Sequence, residues 1–505
     1  MLESYVKKIL SSNVYDLAEE TPLTHAPLLS GRLKTNVWLK REDHQPIYSF
    51  KLRGAYNKMS QLDAQQSSKG VITASAGNHA QGVSIAASRL GLQATVVMGL
   101  NTPSIKVDAV KSYGAKVILF GDSYDEAAEF AQSVSLREGS TYIHPYDDPL
   151  VIAGQGTIGM EIANQHAAEI GAIFVPVGGG GLISGIAAYF KYLRPKTKIV
   201  GVEAEGSACL FAAKKAGRRI ELPRETLDLF ADGVSVSQVG KENFKIAKKY
   251  VDSVVTVTTD EICGAIKDVF EDTRAIAEPA GALSIAGMKK YLAGSKVDFS
   301  SVVAIVSGAN VNFDRLRHIS ERAEIGENRE VIFAAKLKEE RGSFLNFCKG
   351  LGKRSITEFN YRRTKDDYAN IYVGLEITLA ENRAELLKKM RKKGHTLLDM
   401  TDNETAKEHI RHMVGGPKQS CDSEMLYRFE FPERPGALLK FLSVVGARWD
   451  ITLFHYRNHG AAWGRVLVGF DSDEKEKREL QGYLQEIGYR FWEETENQAY
   501  ETFLT

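Results

Sequence analysis

The first three-fifths of the chain alternates short apolar runs with helical patterns. Residues 71–74 form an apolar run, a polar loop follows, and an amphipathic pattern over 80–90 stops at Gly91. Apolar runs that are rich in β-branched residues are typical of strands buried in a parallel sheet. The later runs lie at 94–98, 116–120, 173–177, 199–203 and 302–306. We therefore predict an α/β region with ligand-binding loops at the carboxyl ends of its strands.

The chain beyond about residue 330 carries more charge and contains an internal repeat. A Glu-Arg-Gly-Ser-Phe segment around Gly342 resembles a Glu-Arg-Pro-Gly-Ala segment around Gly436. A Phe-x-Tyr-Arg motif then places Tyr361 in the first copy and Tyr456 in the second. Thr-Asp-Asn and Thr-Glu-Asn mark matching ends of the two copies. Agreement at three separated points predicts two copies of one βαβ–βαβ module.

These patterns divide the chain into four predicted segments. An α/β region is expected over 1–325, and α+β modules over 330–405 and 424–505. The segment 406–423 is rich in chain breakers and lacks periodicity, as a linker does. A chain of 505 residues is also too long for one hydrophobic core, which agrees with a division into domains.

Composition excludes several functional classes. Lys and Arg together number 65 and Asp and Glu 64, so neither a nucleic acid nor an anionic membrane is an expected partner. No apolar stretch approaches the roughly 18 residues that span a bilayer, and the start of the chain predicts an amphipathic helix instead of a secretory signal. The 4 cysteines are scattered without metal-ligand spacing, so we expect neither disulfides nor a zinc site. A cytoplasmic location fits best.

The first segment that can carry chemistry is Ser-Phe-Lys-Leu-Arg-Gly-Ala. It places Lys51 between Phe50 and Leu52 at the start of a helical pattern. Partial burial lowers the pKa of an amine, which lets a lysine act as nucleophile and base near neutral pH. On this segment alone, a lysine that lies along a helix surface with its ammonium in solvent is the better interpretation.

The loop after residue 74 can bind an anion. It contains Ser75, Ala76, Gly77 and Asn78 and opens a helical pattern, so its backbone N–H groups can bind a carboxylate or a phosphate. The Asn78 amide can hydrogen-bond a ring substituent of a ligand. The simpler alternative is a capped turn, because Ser and Asn are favoured at helix N-termini.

A second anion-binding loop is formed by Gly178, Gly179, Gly180, Gly181 and Leu182, again between a strand and a helix. Glycines let the backbone approach a phosphate closely, and the helix dipole favours negative charge there. A P-loop is excluded, because it would need a Lys and then a Ser or Thr directly after the glycines. A dinucleotide site stays open on this loop alone, because two glycines fit its fingerprint and an acidic residue follows the next strand.

The last segment, Ser-Gly-Ala-Asn, begins at Ser307 after the apolar run 302–306. The Ser307 hydroxyl can contact a ligand at the carboxyl edge of the sheet. In isolation, the segment predicts only a turn at a strand end.

Together and in this order, the four segments resemble the fold-type II pyridoxal-phosphate enzymes, and most closely the biosynthetic threonine dehydratases. The resemblance covers essentially the whole chain, and the repeats are similar to the paired ACT-like regulatory modules of that family. It implies a two-lobed catalytic region of the tryptophan-synthase-β type with pyridoxal 5'-phosphate as cofactor. Two α+β regulatory modules would follow.

The resemblance also implies a role for each segment. Lys51 would hold the cofactor covalently and remove the substrate Cα proton, and Phe50 would pack beside the ring. Asn78 would bond the phenolic oxygen, and its loop would bind the substrate carboxylate. Residues 178–182 would bind the phosphate. Ser307 would contact the pyridine nitrogen, and because a hydroxyl is too weak an acid to protonate it, elimination would compete well against transamination.

The implied reaction is the dehydration and deamination of L-threonine to 2-oxobutanoate and ammonia, with L-serine giving pyruvate as a secondary reaction. This is the first committed step of isoleucine biosynthesis, with isoleucine as inhibitor, valine as the opposing effector and a homotetramer as the assembly. Two alternatives stay open: a related dehydratase that prefers serine, and a catalytically inactive amino-acid sensor. The intact four segments argue against the second.

Two departures separate the chain from the related serine racemases. Those enzymes carry a serine where this chain has Ala76, and a methyl group cannot be the second acid–base group that racemisation needs. They also bind a divalent metal near the strand that ends in Glu203, where Ser207 and Cys209 lack the second carboxylate. We therefore expect neither racemase activity nor a tight metal site, and leave a weak monovalent cation site open.

The Phe-x-Tyr-Arg motif suggests an effector site in each repeat. Side chains alternate along a strand, so Tyr361 shares a face with Phe359, and Tyr456 with Phe454. We expect each face to look toward the helix of its module, whose N-terminal N–H groups suit a carboxylate, and to form an apolar slot for a branched side chain. The alternative is that both tyrosines are ordinary core aromatics.

Overall fold

The computed structural model divides into two compact units, Met1–Ala323 and Glu324–Thr505. It describes all residues except 101, 122–123, 296, 341, 353, 364–366, 379–380, 409, 414–423, 433–436, 446–448, 458–462, 473–475 and 498–505. The second Glu-Arg-Pro-Gly segment and most of the predicted linker therefore lie outside the described residues. Each unit has hydrophobic clusters of its own.

Strands and helices alternate along the first unit, as the apolar pattern predicts. Within the described ranges, every helix is too short or too polar to cross a lipid bilayer. The strands are β1 (Leu23–His25), β2 (Asn36–Arg41), β3 (Val71–Ala74), β4 (Ala94–Met98), β5 (Lys116–Leu119), β6 (Thr141–Tyr142), β7 (Ala172–Pro176), β8 (Lys198–Ala204), β9 (Ser253–Val257) and β10 (Ser301–Val306). The helices are α1 (Leu2–Leu10), α2 (Pro27–Leu33), α3 (Lys51–Met59), α4 (Ala64–Ser68), α5 (Asn78–Leu90), α6 (Ser104–Ser112), α7 (Tyr124–Glu138), α8 (Pro149–Gln165), α9 (Gly181–Leu193), α10 (Cys209–Ala216), α11 (Lys241–Tyr250), α12 (Thr259–Thr273), α13 (Pro279–Gly294) and α14 (Arg315–Gly326).

Two sheets form the two lobes of this unit. One has the strand order β1-β2-β10-β7-β8-β9, and the other β5-β4-β3-β6. Neighbouring strands are parallel throughout, except that β1 is antiparallel to β2. β3, β7 and β10 are buried along their whole length, as strands covered by helices on both faces must be. The predicted two-lobed α/β region is confirmed.

Local sequence signals set the ends of the helices around α3. The Asp148 carboxylate accepts hydrogen bonds from the backbone N–H groups of Leu150 and Val151 and so caps α8, and Pro149 occupies the first turn. α5 ends at Gly91 with φ +66°, a left-handed conformation that glycine adopts without steric cost. Short-range signals therefore decide where both helices begin or end.

Two glycines let α5 and α8 approach α3 closely. A Cβ on Gly82 of α5 would lie 3.1 Å from the backbone N of Leu52. A Cβ on Gly154 of α8 would lie 2.6 Å from the backbone O of Arg53, which no side chain tolerates. The first turn of α3 is therefore held between two helix backbones, with little room to move.

A buried cluster of charges joins α3 to α8 and β2. Arg53 is fully buried, and its guanidinium pairs with Glu42 at 2.8 Å and with Glu161 at 2.5 Å. Lys40, also fully buried, lies 2.5 Å from Glu161, and the Tyr15 hydroxyl donates to the same carboxylate at 2.9 Å. Two cations and two carboxylates thus balance one another away from solvent, which is the condition for burying charge without a large loss of stability.

The second unit is built on one antiparallel sheet of order β14-β11-β13-β12-β16-β17-β15-β18. The first copy of the repeat supplies one half and the second copy the other, each in the order βαββαβ, so the two predicted α+β modules are confirmed. The elements are β11 (Glu330–Lys338), α15 (Ser343–Leu351), β12 (Ile356–Arg362), β13 (Tyr368–Glu376), α16 (Arg383–Lys392), β14 (Thr396–Asp399), α17 (Glu404–Glu408), β15 (Glu424–Pro432), α18 (Ala437–Val445), β16 (Asp450–Arg457), β17 (Trp463–Asp471), α19 (Lys477–Ile487) and β18 (Arg490–Glu493).

The two copies meet where β12 pairs with β16. Phe359 lies opposite Tyr456, and Tyr361 lies opposite Phe454. The phenylalanine of each motif therefore lies opposite the tyrosine of the other motif. This is the pattern of a local two-fold relation between the copies. In both copies the aromatic pair is buried in the core of the sheet.

The buried charge cluster predicts a large stability effect. We expect Glu161→Gln to lower the free energy of unfolding by about 3–5 kcal/mol, because it leaves Lys40 and Arg53 buried with one carboxylate between them. Glu3→Gln is the matched control, since Glu3 is exposed and pairs with Lys7 along one helix face. Urea unfolding followed by circular dichroism would compare the two variants, and equal midpoints would contradict the expectation.

Candidate active site

Lys51 is the first residue of α3, and its side chain lies against the segment that leads into α8. Its Nζ donates to the backbone O of Pro145 at 3.3 Å and lies 5.3 Å from the centre of the Phe50 ring. Burial lowers the pKa of the Lys51 amine to about 8, while the negative charge of Glu278 opposes the shift. A substantial fraction of this lysine is therefore neutral slightly above neutral pH, as a nucleophile and base requires.

The Ser-Phe-Lys and Ser-Gly-Ala-Asn segments lie side by side although they are far apart in sequence. Ser49 and Gly308 form a bridge between the segments, and the backbone N–H of Phe50 donates to the O of Ser307 at 3.2 Å. The Ser307 hydroxyl is buried and donates to the O of Ala280 at 3.3 Å. The structure therefore brings Ser307 to the start of α3.

The loop from Ser75 to Asn78 connects β3 to α5, as predicted. The backbone N–H of Gly77 donates to the Ser75 hydroxyl at 3.2 Å, and α5 begins at Asn78. The Asn78 amide donates to Glu278 at 2.6 Å and accepts from the side chain of Asn310 at 2.8 Å. Asn78 is thus joined to the segment that contains Ser307.

The tetraglycine loop lies between β7 and α9 and packs against the segment that contacts Lys51. Gly180 has φ +94°, which strongly favours glycine. A Cβ on Gly179 would lie 2.2 Å from the Tyr146 ring, so a larger residue has no room there. The Asn243 amide ties this loop to the same segment, because it donates to the O of both Gly179 and Tyr146 at 3.0 Å.

These residues fit pyridoxal phosphate. An amine of lowered pKa can bond the cofactor aldehyde, and a flat apolar side chain stands beside it in Phe50. Loop 178–181 leads directly into the start of α9, where backbone N–H groups and the helix dipole favour a phosphate. The Ser307 hydroxyl donates to the O of Ala280 here, and by rotating away from it would supply a neutral donor for a ring nitrogen. The donor set therefore matches the aldehyde, ring, phosphate and nitrogen of this cofactor.

Glu278 has no role predicted from the sequence, although the structure places it against Asn78. Burial, and then the nearby charge of Asp232, raise the pKa of Glu278 to about 7. The only sequence signal is a glutamate directly before Pro279, which indicates a helix start and nothing about the site. The contact with Asn78 depends on tertiary folding and could not be found by spacing.

The histidines near the site are engaged in structural contacts. His79 is buried, and its Nε2 lies 3.0 Å from the O of Ile143. Burial first, and then the charge of Lys51, lower the pKa of His79 to about 3, so it is neutral at physiological pH. His144 Nδ1 accepts the backbone N–H groups of Tyr146 and Asp147, and burial lowers its pKa as well.

Glu203 lies near the end of β8. Its two oxygens accept the backbone N–H groups of Leu210 and Phe211 at 2.7 and 2.8 Å. Burial raises the pKa of Glu203 to about 7. The carboxylate therefore serves the N-terminus of α10 in this structure.

A cavity in the second unit lies beside one of the two predicted effector residues. Tyr361 lines it, together with Gly342 and Ser343 at the start of α15, and the Tyr361 hydroxyl donates to Glu339 at 2.9 Å. The rings of Phe344 and Tyr361 stack with centres 5.4 Å apart, so Tyr361 does face its helix. Tyr456 is buried opposite Phe359 and is not among the described residues that line this cavity.

Comparison with known proteins agrees with this geometry. Residues 14–308 match the family of pyridoxal-phosphate dependent enzymes, and residues 321–410 and 416–504 match the C-terminal regulatory domain of threonine dehydratase. The chain is 51% identical to the biosynthetic L-threonine dehydratase of Burkholderia multivorans, over 99% of both chains. It is 49% identical to that of Escherichia coli, over 99% of this chain and 97% of the relative.

A solved structure is also similar to part of this chain. The processed form of threonine deaminase isoform 2 from Solanum lycopersicum superposes with a TM-score of 0.62 at 49% identity, and covers 64% of this chain and 93% of its own. Identity of about one half along the whole chain exceeds what a shared fold alone produces. The chain therefore belongs to the biosynthetic threonine dehydratases, pyridoxal-phosphate-dependent enzymes with a C-terminal regulatory domain.

Proposed function

We propose that the protein dehydrates and deaminates L-threonine to 2-oxobutanoate and ammonia, with L-serine giving pyruvate in a secondary reaction, as the first committed step of isoleucine biosynthesis. The observation that carries the proposal is the alignment with biosynthetic threonine dehydratases along essentially the whole chain. The convergence of Lys51, Asn78 and Ser307 in the first unit supports it. A cytoplasmic location is part of the same proposal.

The cofactor would be held by five features of the first unit. Lys51 would bond its aldehyde, Phe50 would pack beside its ring and Asn78 would donate to its phenolic oxygen. Residues 178–182 would bind its phosphate through backbone N–H groups, and Ser307 would contact its pyridine nitrogen. Because the Ser307 hydroxyl is too weak an acid to give up its proton, it would leave the pyridine nitrogen unprotonated, which would favour elimination of the β-hydroxyl over transamination.

The chain's own residues then perform two tasks. The loop from Ser75 to Asn78, with Ala76 and Gly77 between them, binds the substrate carboxylate through backbone N–H groups and so orients the Cα–H bond. Pyridoxal phosphate, when bound, supplies an electron sink that makes the Cα proton acidic. The Lys51 amine, with its pKa lowered to about 8 by burial, accepts that proton.

We expect Lys51→Ala to abolish threonine deamination, because it removes both the covalent attachment and the base. Lys58→Ala is the matched control on the same helix, since Lys58 pairs with Asp148 away from the proposed site. Borohydride reduction followed by mass spectrometry should leave the cofactor mass on the peptide that contains Lys51 in the wild type. Turnover by Lys51→Ala at a rate comparable to the wild type would refute the assignment.

A serine-preferring dehydratase is the second candidate. The chain resembles a fungal L-serine ammonia-lyase in structure at 26% identity, with a TM-score of 0.55, which is weaker than its similarity to the threonine enzymes. The ratio of kcat/KM for threonine and serine decides between the two. A ratio above one supports the threonine assignment.

The second unit would regulate the first. We propose isoleucine as inhibitor, valine as the opposing effector and a homotetramer as the assembly, with domain limits at 1–325, 330–405 and 424–505 around a linker at 406–423. The match of the second unit to the regulatory domain of threonine dehydratase supports this role. By linkage, isoleucine must bind the less active state more tightly than the active one.

The cavity beside Tyr361 supports this tyrosine as an effector residue. The start of α15 offers backbone N–H groups to a carboxylate, while Leu337, Phe344 and Ile451 offer apolar surface to a branched side chain. Tyr456 stays a candidate through the two-fold relation, which gives it the same position in the second copy. The effector class that fits this combination is a branched-chain amino acid.

If the first unit is catalytic and the second is regulatory, the behaviour of a shortened chain can be predicted. We expect residues 1–325 to keep the cofactor and threonine deamination but to lose inhibition by isoleucine, because the two units have separate cores. Initial rates with and without isoleucine, measured in parallel with the full chain, would check this. Equal inhibition of both forms would place the effector site in the catalytic unit.

The effector residues can be tested in the full chain. We expect Tyr361→Leu or Tyr456→Leu to raise the isoleucine concentration for half-inhibition by roughly 2- to 13-fold, which corresponds to the loss of one hydrogen bond of about 0.5–1.5 kcal/mol. Basal kcat should change little. Tyr372→Leu is the matched control, because Tyr372 is buried in the same sheet and its hydroxyl donates to the O of Ala406. Unchanged inhibition in both test variants, with folding verified, would move the site elsewhere.

A further inference from the structure

Glu278 is a buried carboxylate whose two oxygens accept hydrogen bonds from two different segments of the chain. It lies directly before α13 and is 7% exposed, yet its side chain does not cap that helix. One oxygen accepts the side-chain N–H of Asn78 at 2.6 Å, and the other accepts the backbone N–H of Asn310 at 3.0 Å. Glu278 therefore joins α13 to both segments that contain proposed cofactor ligands.

Asn310 closes this arrangement into a ring. Its side-chain N–H groups donate to Asn78 Oδ1 and to the backbone O of Ile47, both at 2.8 Å. One member of the ring is the backbone N–H of Asn310, which can only donate. The side chain of Asn310 is also bonded to the backbone carbonyl of Ile47, which can only accept. These two fixed groups determine which way the amides of Asn310 and Asn78 point.

The fixed orientation matters for Asn78. Its oxygen faces the donor from Asn310 and its nitrogen faces Glu278, so the amide cannot exchange the two positions without bringing like groups together at both ends. The second N–H of the Asn78 side-chain nitrogen is therefore left as a hydrogen-bond donor in a fixed position. The phenolic oxygen of pyridoxal phosphate is an acceptor and requires a donor.

We propose that Glu278 is a positioning residue, which holds the Asn78 amide with an N–H group available to the ring oxygen of the bound cofactor. The inference rests on the proposed function, in which Asn78 contacts that oxygen. Glu278 itself touches neither substrate nor cofactor in this assignment and acts through Asn78.

The cost of burying this carboxylate supports a role in the site. Among the described residues, no cation lies within ion-pair distance of Glu278, and burial raises its pKa to about 7. A buried carboxylate without an ionic partner lowers stability, in contrast to Glu161. Its packing is also specific, since a Cβ on Gly308 would lie 2.6 Å from the Glu278 carboxylate.

Glu278→Gln tests the proposal with little change in volume. The new amide has one oxygen and one NH2 group, so one of the two N–H donors that face Glu278 must meet another donor. We expect the visible absorption maximum of the bound cofactor to shift, and the dissociation constant for pyridoxal phosphate to rise roughly tenfold or more. A purely structural role would lower the melting temperature and leave the absorption maximum unchanged.

A double-mutant cycle tests whether Glu278 acts through Asn78. Asn78→Ala should shift the absorption maximum of the bound cofactor in its own right, and adding Glu278→Gln to it should cause no further shift. Independent, additive shifts would overturn the proposal. Asp232→Asn is the control for charge. Asp232 influences Glu278 electrostatically, but it pairs with Lys106 and is not a member of the ring of hydrogen bonds.

Further outcomes separate this inference from the proposed function. If the wild-type enzyme shows no cofactor band or no threonine deamination, the proposed function fails. If the wild type behaves as expected and Glu278→Gln leaves the absorption maximum and cofactor affinity unchanged, only the role of Glu278 fails. If Glu278→Gln does not fold, Glu278→Asp decides. It keeps the charge but is one methylene too short to reach both partners, so an unchanged absorption maximum and cofactor affinity there would also overturn the proposal.

Discussion

The position of Lys51 depends on the burial of Arg53. Both residues lie in the first turn of α3, and Arg53 cannot leave its carboxylates without exposing unpaired buried charge. Successive residues of a helix project roughly 100° apart, so fixing the direction of Arg53 also fixes that of Lys51, on the opposite side of the helix. The ion cluster thereby sets the position of the Lys51 amine, although it contributes no atom to the proposed chemistry.

The site forms where strand ends from both lobes meet. The tetraglycine and Ser307 loops follow β7 and β10, which are neighbours in one sheet, while the Asn78 loop follows β3 in the other. The hydrogen bonds of Asn78 with Glu278 and Asn310 therefore cross from one lobe to the other. The ring of hydrogen bonds can therefore align proposed cofactor ligands that two separate sheets supply.

Sequence patterns predict those features whose cause is local. The strand at 71–74, the helix that ends at Gly91 and the loops between strands and helices follow from apolar runs and turn residues, and family resemblance adds their roles. Glu278 could not be predicted, because its partners lie far away in the chain and nothing in its neighbourhood specifies them. The charge cluster around Arg53 could not be predicted either, because each member alone looks like a surface residue in the sequence.

The second unit shows how a polar pair can set the direction of apolar side chains. Each copy has a bulge at a threonine, and that threonine bonds a buried glutamate beneath a glycine; the sets are Glu330, Thr357 and Gly374, and Glu424, Thr452 and Gly469. A bulge shifts the alternation of the strand by one residue, and two residues later come Phe359 and Phe454. Without the bulge, the following aromatic residues would turn to the other face of the sheet. The same polar pair therefore directs Tyr361 toward α15, where the cavity lies.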